Sequence, residues 1–304
     1  MPPMLPIVHH PDYLVPLRRN HRFPMSKYGY LREALVQRGL IGPGAYLSPA
    51  PASPQMIGLA HDSDYVQRVF EQALSVEEVR RIGLPMGENL VRRSRLSAAG
   101  TFLAAQLALE HGLAGNSAGG SHHAGPDYGA GYCLFNDVAV AIRNLQMQGI
   151  ATSFLVVDAD VHQGDGTARI FADDPMVRTL SVHAQKNFPA RKARSDWDVG
   201  LDDGLGDTAY LEALRDVLDG ALDMITPCLL FYNAGVDVHG EDRLGRLGLS
   251  DEGIRGRDRA VIDAARARGI PIVAVMGGGY SDDMPALAAR HAIVFEELAR
   301  AADV

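Results

Sequence analysis

Cysteine is nearly absent. Cys133 and Cys228 are the only two in 304 residues, and they form no Cys-x-x-Cys pair. A thiolate metal cluster and a disulfide framework are therefore excluded, and a reducing cytoplasm suits the chain. Long apolar runs are missing too: none approaches the roughly 18 residues that span a bilayer. The opening MPPMLPIVHHPDYLVP has no basic region followed by an apolar core, so it does not read as a secretory leader. Positive charge is also short. The 29 lysines and arginines face 37 acids, a net charge of −8, and no broad nucleic-acid footprint is expected. No internal repeat, low-complexity tract or linker interrupts the chain. One domain over residues 1–304 is the simplest expectation.

What the chain does have is a concentrated stretch, FLVVDADVHQGDG, from Phe154 to Gly166. Its first four residues are apolar and rich in β-branching, the pattern of a buried strand in a parallel sheet. Asp158, Asp160, His162 and Asp165 follow at once. Carboxylates and an imidazole at the end of a buried strand are costly to desolvate unless paired or metal-bound. Asp158, Asp160 and His162 alternate, so an extended backbone points them to one side. Gly164 and Gly166 permit a turn that brings Asp165 back. Asp-x-His by itself is compatible with a solvated loop; as a ligand pair it suits zinc or another first-row divalent ion.

Along the chain, helices are expected near Tyr30 to Arg38, His61 to Leu74, Leu96 to His111, Asn136 to Gln148, Thr208 to Met224, Asp251 to Arg268 and Met284 to Ala301. Ser75 and Glu78 form a capping-box pattern. Strands are expected at Leu5 to Val8, Leu113 to Ala118, Phe154 to Val157, Val177 to Val182, Cys228 to Tyr232 and Pro271 to Met276. Gln185 to Gly206 reads as a polar surface loop. The later part of the chain alternates strand and helix, as right-handed βαβ crossovers do. Four polar clusters each follow an apolar run: His122 and His123, Asp158 to Asp165, Asp237, and Tyr280. In open parallel sheets, sites lie outside the carboxyl ends of strands, so the four are expected in one pocket.

Each cluster has a plain alternative. His122 and His123, set among Gly119, Gly120 and Gly125, would be surface residues if nothing partnered them. Asp158 and Asp165 can supply partners and make two imidazole–carboxylate dyads. Asp237 would cap a helix if it stood alone. With Asp160 and His162 it completes a three-ligand set with one position open, the pattern of a catalytic zinc. Tyr280, after three glycines, is either a half-buried turn tyrosine or a phenol aimed at a developing oxyanion. Tyr132 and Phe188 are core or channel wall. His239, Glu241 and Asp242 would line a rim or lie on the surface.

GGSHHA, GYC at Gly131 to Cys133, DADVHQGDG, NAGVDVHG and GGGY, in that order, resemble the zinc-dependent histone deacetylases and their bacterial relatives. HQGDGTA, NFPARK and DVHGEDRLGRLGLS look most like the class IV branch. The resemblance implies a three-layer α/β domain with a mainly parallel, about eight-stranded sheet. It implies that Asp160, His162 and Asp237 bind one zinc ion, or Fe2+ or another divalent ion. It makes His122 and His123 the acid–base pair, supported by Asp158 and Asp165 respectively, and Tyr280 the transition-state tyrosine. Gly131 would meet the substrate amide, Tyr132 and Phe188 would wall the channel, and Arg22 would lie in an inner cavity behind the metal. A potassium ion would sit at Asp158, Asp160, His162 and Ser181. Arginases share the fold but need a further carboxylate where Gly164 stands, so a two-metal site is not expected. The implied activity is hydrolysis of N-acyl-lysine amides in proteins or peptides. A small acetylpolyamine is the alternative substrate, and a scaffold without catalysis is a third reading.

Overall fold

The computed structural model describes residues 5–18, 21–42 and 44–302; Met1 to Met4, part of the opening stretch read above, lie outside them. Among the described residues, seven strands form one sheet: β1 (Ile7–Val8), β2 (Leu113–Asn116), β3 (Phe154–Asp158), β4 (Val177–Ala184), β5 (Trp197–Leu201), β6 (Leu229–Asn233) and β7 (Ile272–Val275). Their order across the sheet is β1-β2-β7-β6-β3-β4-β5, and every neighbouring pair is parallel. The α/β class expected above is therefore present, with seven strands where about eight were expected.

The helices are α1 (Lys27–Gln37), α2 (Pro54–Gly58), α3 (Ser63–Phe70), α4 (Val76–Ile82), α5 (Glu88–His111), α6 (Asp137–Met147), α7 (Asp165–Ile170), α8 (Asp207–Met224), α9 (Asp251–Ala267) and α10 (Met284–Ala302). Helix α5 packs with α6, while α1, α10, α9 and α8 pack in a row. Strand β2 shows that the two groups cover opposite faces. Gly115 lies against Phe295 of α10, and its neighbour Asn116 lies against Gly100 of α5. Successive strand residues point to opposite faces, so the sheet is the middle of three layers. The inner strands are buried on both faces, which is why they read as unbroken apolar runs.

Local signals explain most boundaries. Ser75 and Glu78 make the expected reciprocal capping box at α4. The Asn136 side chain caps α6 by accepting from the Ala139 N–H. Gly112 ends α5 in the left-handed region at φ 85°. Ser53 and Pro54 start the short helix α2. Two expectations need correction. Gln185 to Gly206 is not all loop: it holds β5, whose outward positions are exposed, so it lacks the apolar signature of a buried strand. Asp165 opens helix α7 rather than sitting in a simple turn.

The strand order decides where the polar clusters meet. β2, β7, β6 and β3 are adjacent in the sheet, and the four clusters follow those four strands. No helix among the described residues is long and apolar enough to cross a membrane.

Candidate active site

The stretch after β3 turns inward at once. Ala159 donates its N–H to the Asn233 carbonyl at 3.1 Å, which ties this stretch to the end of β6. Asp160, His162 and Asp237 are all buried, and their ligand-type atoms lie within 4.8 Å of one another. His162 Nδ1 is 3.0 Å from Asp160 Oδ1 and 3.2 Å from Asp237 Oδ2. Ligand atoms about 2.1 Å from a tetrahedral ion stand about 3.4 Å apart, so the spacing fits one ion. The remaining oxygens are held by backbone. Gly278 N–H donates to Asp160 Oδ2 at 2.6 Å, and Val161 N–H donates to Asp237 Oδ1 at 2.9 Å. Asp237 Oδ2 is buried with no hydrogen-bond partner. A Cβ on Gly278 would lie 2.0 Å from that oxygen, so only glycine lets the loop close over it.

The electrostatics of this cluster ask for positive charge. Burial and the facing Asp160 push Asp237 up to about 7. Burial opposes ionisation of Asp160, but His122 and His162 outweigh it and hold that carboxyl well below its usual range. Burial opposes the charged form of His162, yet Asp160 and Asp237 raise it to about 10. A buried set of carboxylates that draws protons onto its imidazoles is suited to a divalent cation, and the donor set fits one.

His122 and His123 follow β2 on a loop that starts with Gly119 at φ 86° and Gly120 at φ 80°. A Cβ at Gly120 would meet the Gly277 backbone at 2.5 Å, so this close approach also requires glycine. His122 Nδ1 is 2.7 Å from Asp158 Oδ2, and His123 Nδ1 is 2.8 Å from Asp165 Oδ1. The two dyads are thus formed in the order the resemblance implies. Asn233 Nδ2 donates to the other oxygen of Asp158 at 3.0 Å. Burial lowers the His122 imidazole, but Asp158 and Asp160 outweigh it and raise it to about 9. Burial and the adjacent His122 push His123 down to about 3.

Tyr280 stands at the end of β7's loop, with Gly277 at φ 63° and Gly279 at φ 157°. Its N–H donates to Asp242 Oδ2 at 2.6 Å, which gives that undetermined acid a place inside the site. The ring is buried, 6.3 Å from His162 and 5.8 Å from Tyr132 between centroids. Burial, Asp237 and Asp160 push the phenol well above its usual range, so it stays a neutral donor. A cavity of about 30 Å³ is bounded by His122, His123, Asp160 and Tyr280 and reaches back to Tyr28 and Arg93. Gly131 and Tyr132 also line it. Phe188 is 44% exposed and stands edge-on over His123, with ring centroids 4.7 Å apart. Of the other acids and imidazoles near Asp237, Glu241 is exposed and paired with Arg290, while His239 is buried beside Asp251.

Two positions differ from the sequence reading. Arg22 is exposed and does not line the cavity; the arginine that does is Arg93. The cation behind the glycine loop is Lys27, which is fully buried and donates to the Gly277 and Gly279 carbonyls at 3.3 Å each. Burial pulls it down to about 8, against Asp237 and Asp160. Its only sequence signal is a lysine at the first position of a helix, which gives no hint of burial. Asp137 was also missed as more than a helix start. It accepts from Gly120 N–H, Ser121 N–H and the Thr101 hydroxyl, and so fixes the histidine loop. Ser181 pairs in register with Asp158, and its hydroxyl lies 3.0 Å from His183 Nδ1.

Fold and pocket together define a parallel-sheet α/β domain whose buried Asp160, His162 and Asp237 could hold a metal ion. Residues 21–296 match the histone deacetylase domain, and the chain belongs to the histone deacetylase family. It is 46% identical over 289 residues to an uncharacterized protein of Picosynechococcus sp., covering 95% of this chain and 96% of that one. It is 31% identical over 273 residues to histone deacetylase 2 of Arabidopsis thaliana, covering 87% of this chain and 70% of that one. The crystal structure of an HDAC homolog from Aquifex aeolicus shares the fold with a TM-score of 0.80 at 24% identity, over 97% of this chain and 84% of that one.

Proposed function

We infer that this single-domain chain hydrolyses N-acyl-lysine amides in proteins or peptides, with one zinc ion held by Asp160, His162 and Asp237. A divalent ion bound there would polarise the acyl carbonyl and acidify water. The observation that carries the reading is convergence: two imidazole–carboxylate dyads and a glycine-held phenol bound one small cavity beside the three-ligand cluster.

The protein's own groups have distinct tasks. His122 and His123 each have Nδ1 engaged by a carboxylate, which leaves Nε2 for chemistry. One takes the proton of the attacking water, and the pair returns a proton to the leaving amine. Tyr280 donates its hydroxyl to the oxygen that gains charge as the carbonyl becomes tetrahedral. Gly131, left-handed at φ 54°, brings its backbone against the His123 ring, where a Cβ would lie 2.5 Å from Cδ2. Its carbonyl would meet the substrate amide. Tyr132 and Phe188 bound the path of the lysine stem. A structural potassium ion beside Asp158 and Ser181, and a cytoplasmic setting for a chain whose two cysteines are free, belong to the same reading.

One observation refines the substrate. A cavity of about 30 Å³ favours acetyl or another short acyl group. The test is a panel of acetyl- to long-chain acyl-lysine peptides beside acetylpolyamines on zinc-reconstituted protein. Faster turnover of acetylpolyamines than of every peptide would refute the substrate class. No turnover of any amide by metal-loaded protein would refute the enzyme reading.

A further inference from the structure

Arg257 is the largest fully buried side chain among the described residues, with no exposed surface. It lies on α9, outside every motif used above. Its guanidinium does not reach the cavity but clamps the backbone behind it. Nη1 donates to the Ala159 carbonyl at 3.1 Å and also to the Gly235 carbonyl. Nη2 donates to the Ala234 carbonyl at 3.3 Å. Nε donates to Asp258 Oδ1 at 2.9 Å, and that oxygen also accepts from the Tyr232 hydroxyl.

The three carbonyls belong to two loops. Ala159 immediately precedes Asp160, and Ala234 and Gly235 lead into Asp237. The loops are pressed together: a Cβ on Gly235 would sit 2.2 Å from Asp160 Oδ2. One planar fork of donors thus spans the two segments that supply all three candidate ligands. A fork of this shape satisfies several carbonyls at once, which an ammonium cannot do with the same geometry. The adjacent Asp258 neutralises the buried charge, so the unit is internally balanced.

We propose that Arg257 is a positioning residue for the metal centre, locking the loop of Asp160 to the loop of Asp237 so that their carboxylates are held at ligand spacing. The proposal rests on the metal-hydrolase reading above. It acts through backbone position: the neighbours that set the Asp160 and Asp237 carboxyls are each other, His122, His162 and Asp242. Outer-shell partners of ligands typically change metal affinity about 10–100-fold when removed.

The test uses wild-type protein, Arg257→Lys, Arg257→Met and a control, Ile262→Ala, which removes buried apolar volume from the same helix. Each is stripped with chelator and titrated with Co2+ and with Zn2+, and Tm is measured. Arg257→Met should lose about 10–100-fold in affinity for both ions and show an altered cobalt absorption spectrum. Arg257→Lys should fall between. Ile262→Ala should lower Tm while keeping wild-type affinity and spectrum. When saturated with metal, both Arg257 variants should lower kcat on an acetyl-lysine peptide and leave KM nearly unchanged. A folded Arg257→Met with wild-type affinity and spectrum overturns this proposal alone. So does failure of both Arg257 variants to fold while Ile262→Ala folds, since the residue is then only structural. Wild-type protein that binds neither ion overturns the metal reading and this proposal with it.

Discussion

Removing the Tyr280 hydroxyl isolates one atom of the proposed mechanism. Tyr280→Phe keeps the ring, its contacts with Phe23, Tyr132 and His162, and the backbone bonds to Asp242 and Arg243. The hydroxyl itself makes no hydrogen bond among the described residues. Stability should therefore change by less than the ~0.5 kcal/mol that even a weak net hydrogen bond contributes. Turnover should change far more. A neutral phenol in a buried site stabilises the oxyanion more than the ground-state carbonyl, and such interactions appear in kcat rather than KM. Loss of one oxyanion donor costs roughly 10²–10³ in kcat, about 2.7–4 kcal/mol. The assay is steady-state hydrolysis of the best acyl-lysine peptide on zinc-loaded protein, with single-turnover kinetics to show that chemistry limits the rate. Tm and bound zinc are measured on the same preparation. A variant with full metal, unchanged Tm and wild-type single-turnover rate would refute the role of Tyr280. A variant with a sharply lower Tm would show instead that the hydroxyl is structural.

Asp160→Ala and Asp237→Ala should each abolish stoichiometric metal binding, read by metal analysis; retention of the ion by both would remove the ligand assignment. In wild-type protein, metal at about 1,000 times its Kd should stabilise by about 4 kcal/mol, visible as a Tm rise that chelator reverses. His61 is pushed from 6.5 down to about 4 by burial, and it bridges the Gly125 carbonyl and the Asn136 N–H. The unfolded chain therefore takes up this proton first as pH falls. The contribution is complete above pH 6.5 and lost towards pH 4, on the order of 3 kcal/mol in all. His61→Gln should flatten the urea midpoint between those pH values; an unchanged slope would contradict it. Lys27→Met strands the Gly277 and Gly279 carbonyls and should cost about 1–3 kcal/mol, measured by urea unfolding. Phe188→Ala should raise KM for acyl-lysine peptides with Tm almost unchanged, because the ring is exposed and lies over His123; an unchanged KM would take Phe188 off the substrate path.

Much of the site is readable from local order in the chain. A buried strand must be apolar, so Phe154 to Val157 and Leu229 to Tyr232 announce themselves, and the polar residues just after them are marked by contrast. The capping box at Ser75 and Glu78 and the helix start at Asn136 are equally local, because their hydrogen bonds span three residues. The class of fold and the identity of Asp158, Asp160, His162, Asp165, Asp237 and Tyr280 as a group apart follow from signals of this kind. Strand β5 escaped because it lies at the sheet edge with alternate residues in water, where a polar strand and a loop look alike. Arg22 and Lys27 show the complementary failure. Both are cations near the start of α1, and only packing decides that one is solvated and the other enclosed.

The sequence by itself therefore determined the alternation of strand and helix, the absence of a disulfide frame, and which residue types stand at the strand ends. The tertiary structure alone decided the geometry in which they meet. Placing β7 and β6 between β2 and β3 brings Gly120 onto Gly277 and Asp237 onto His162 across gaps of many residues. It also decided that Asp137 holds the histidine loop and that Arg257 reaches three carbonyls on two loops. Such contacts depend on strand order and on the close approach of glycine backbones, and neither leaves a periodic or local mark on the chain.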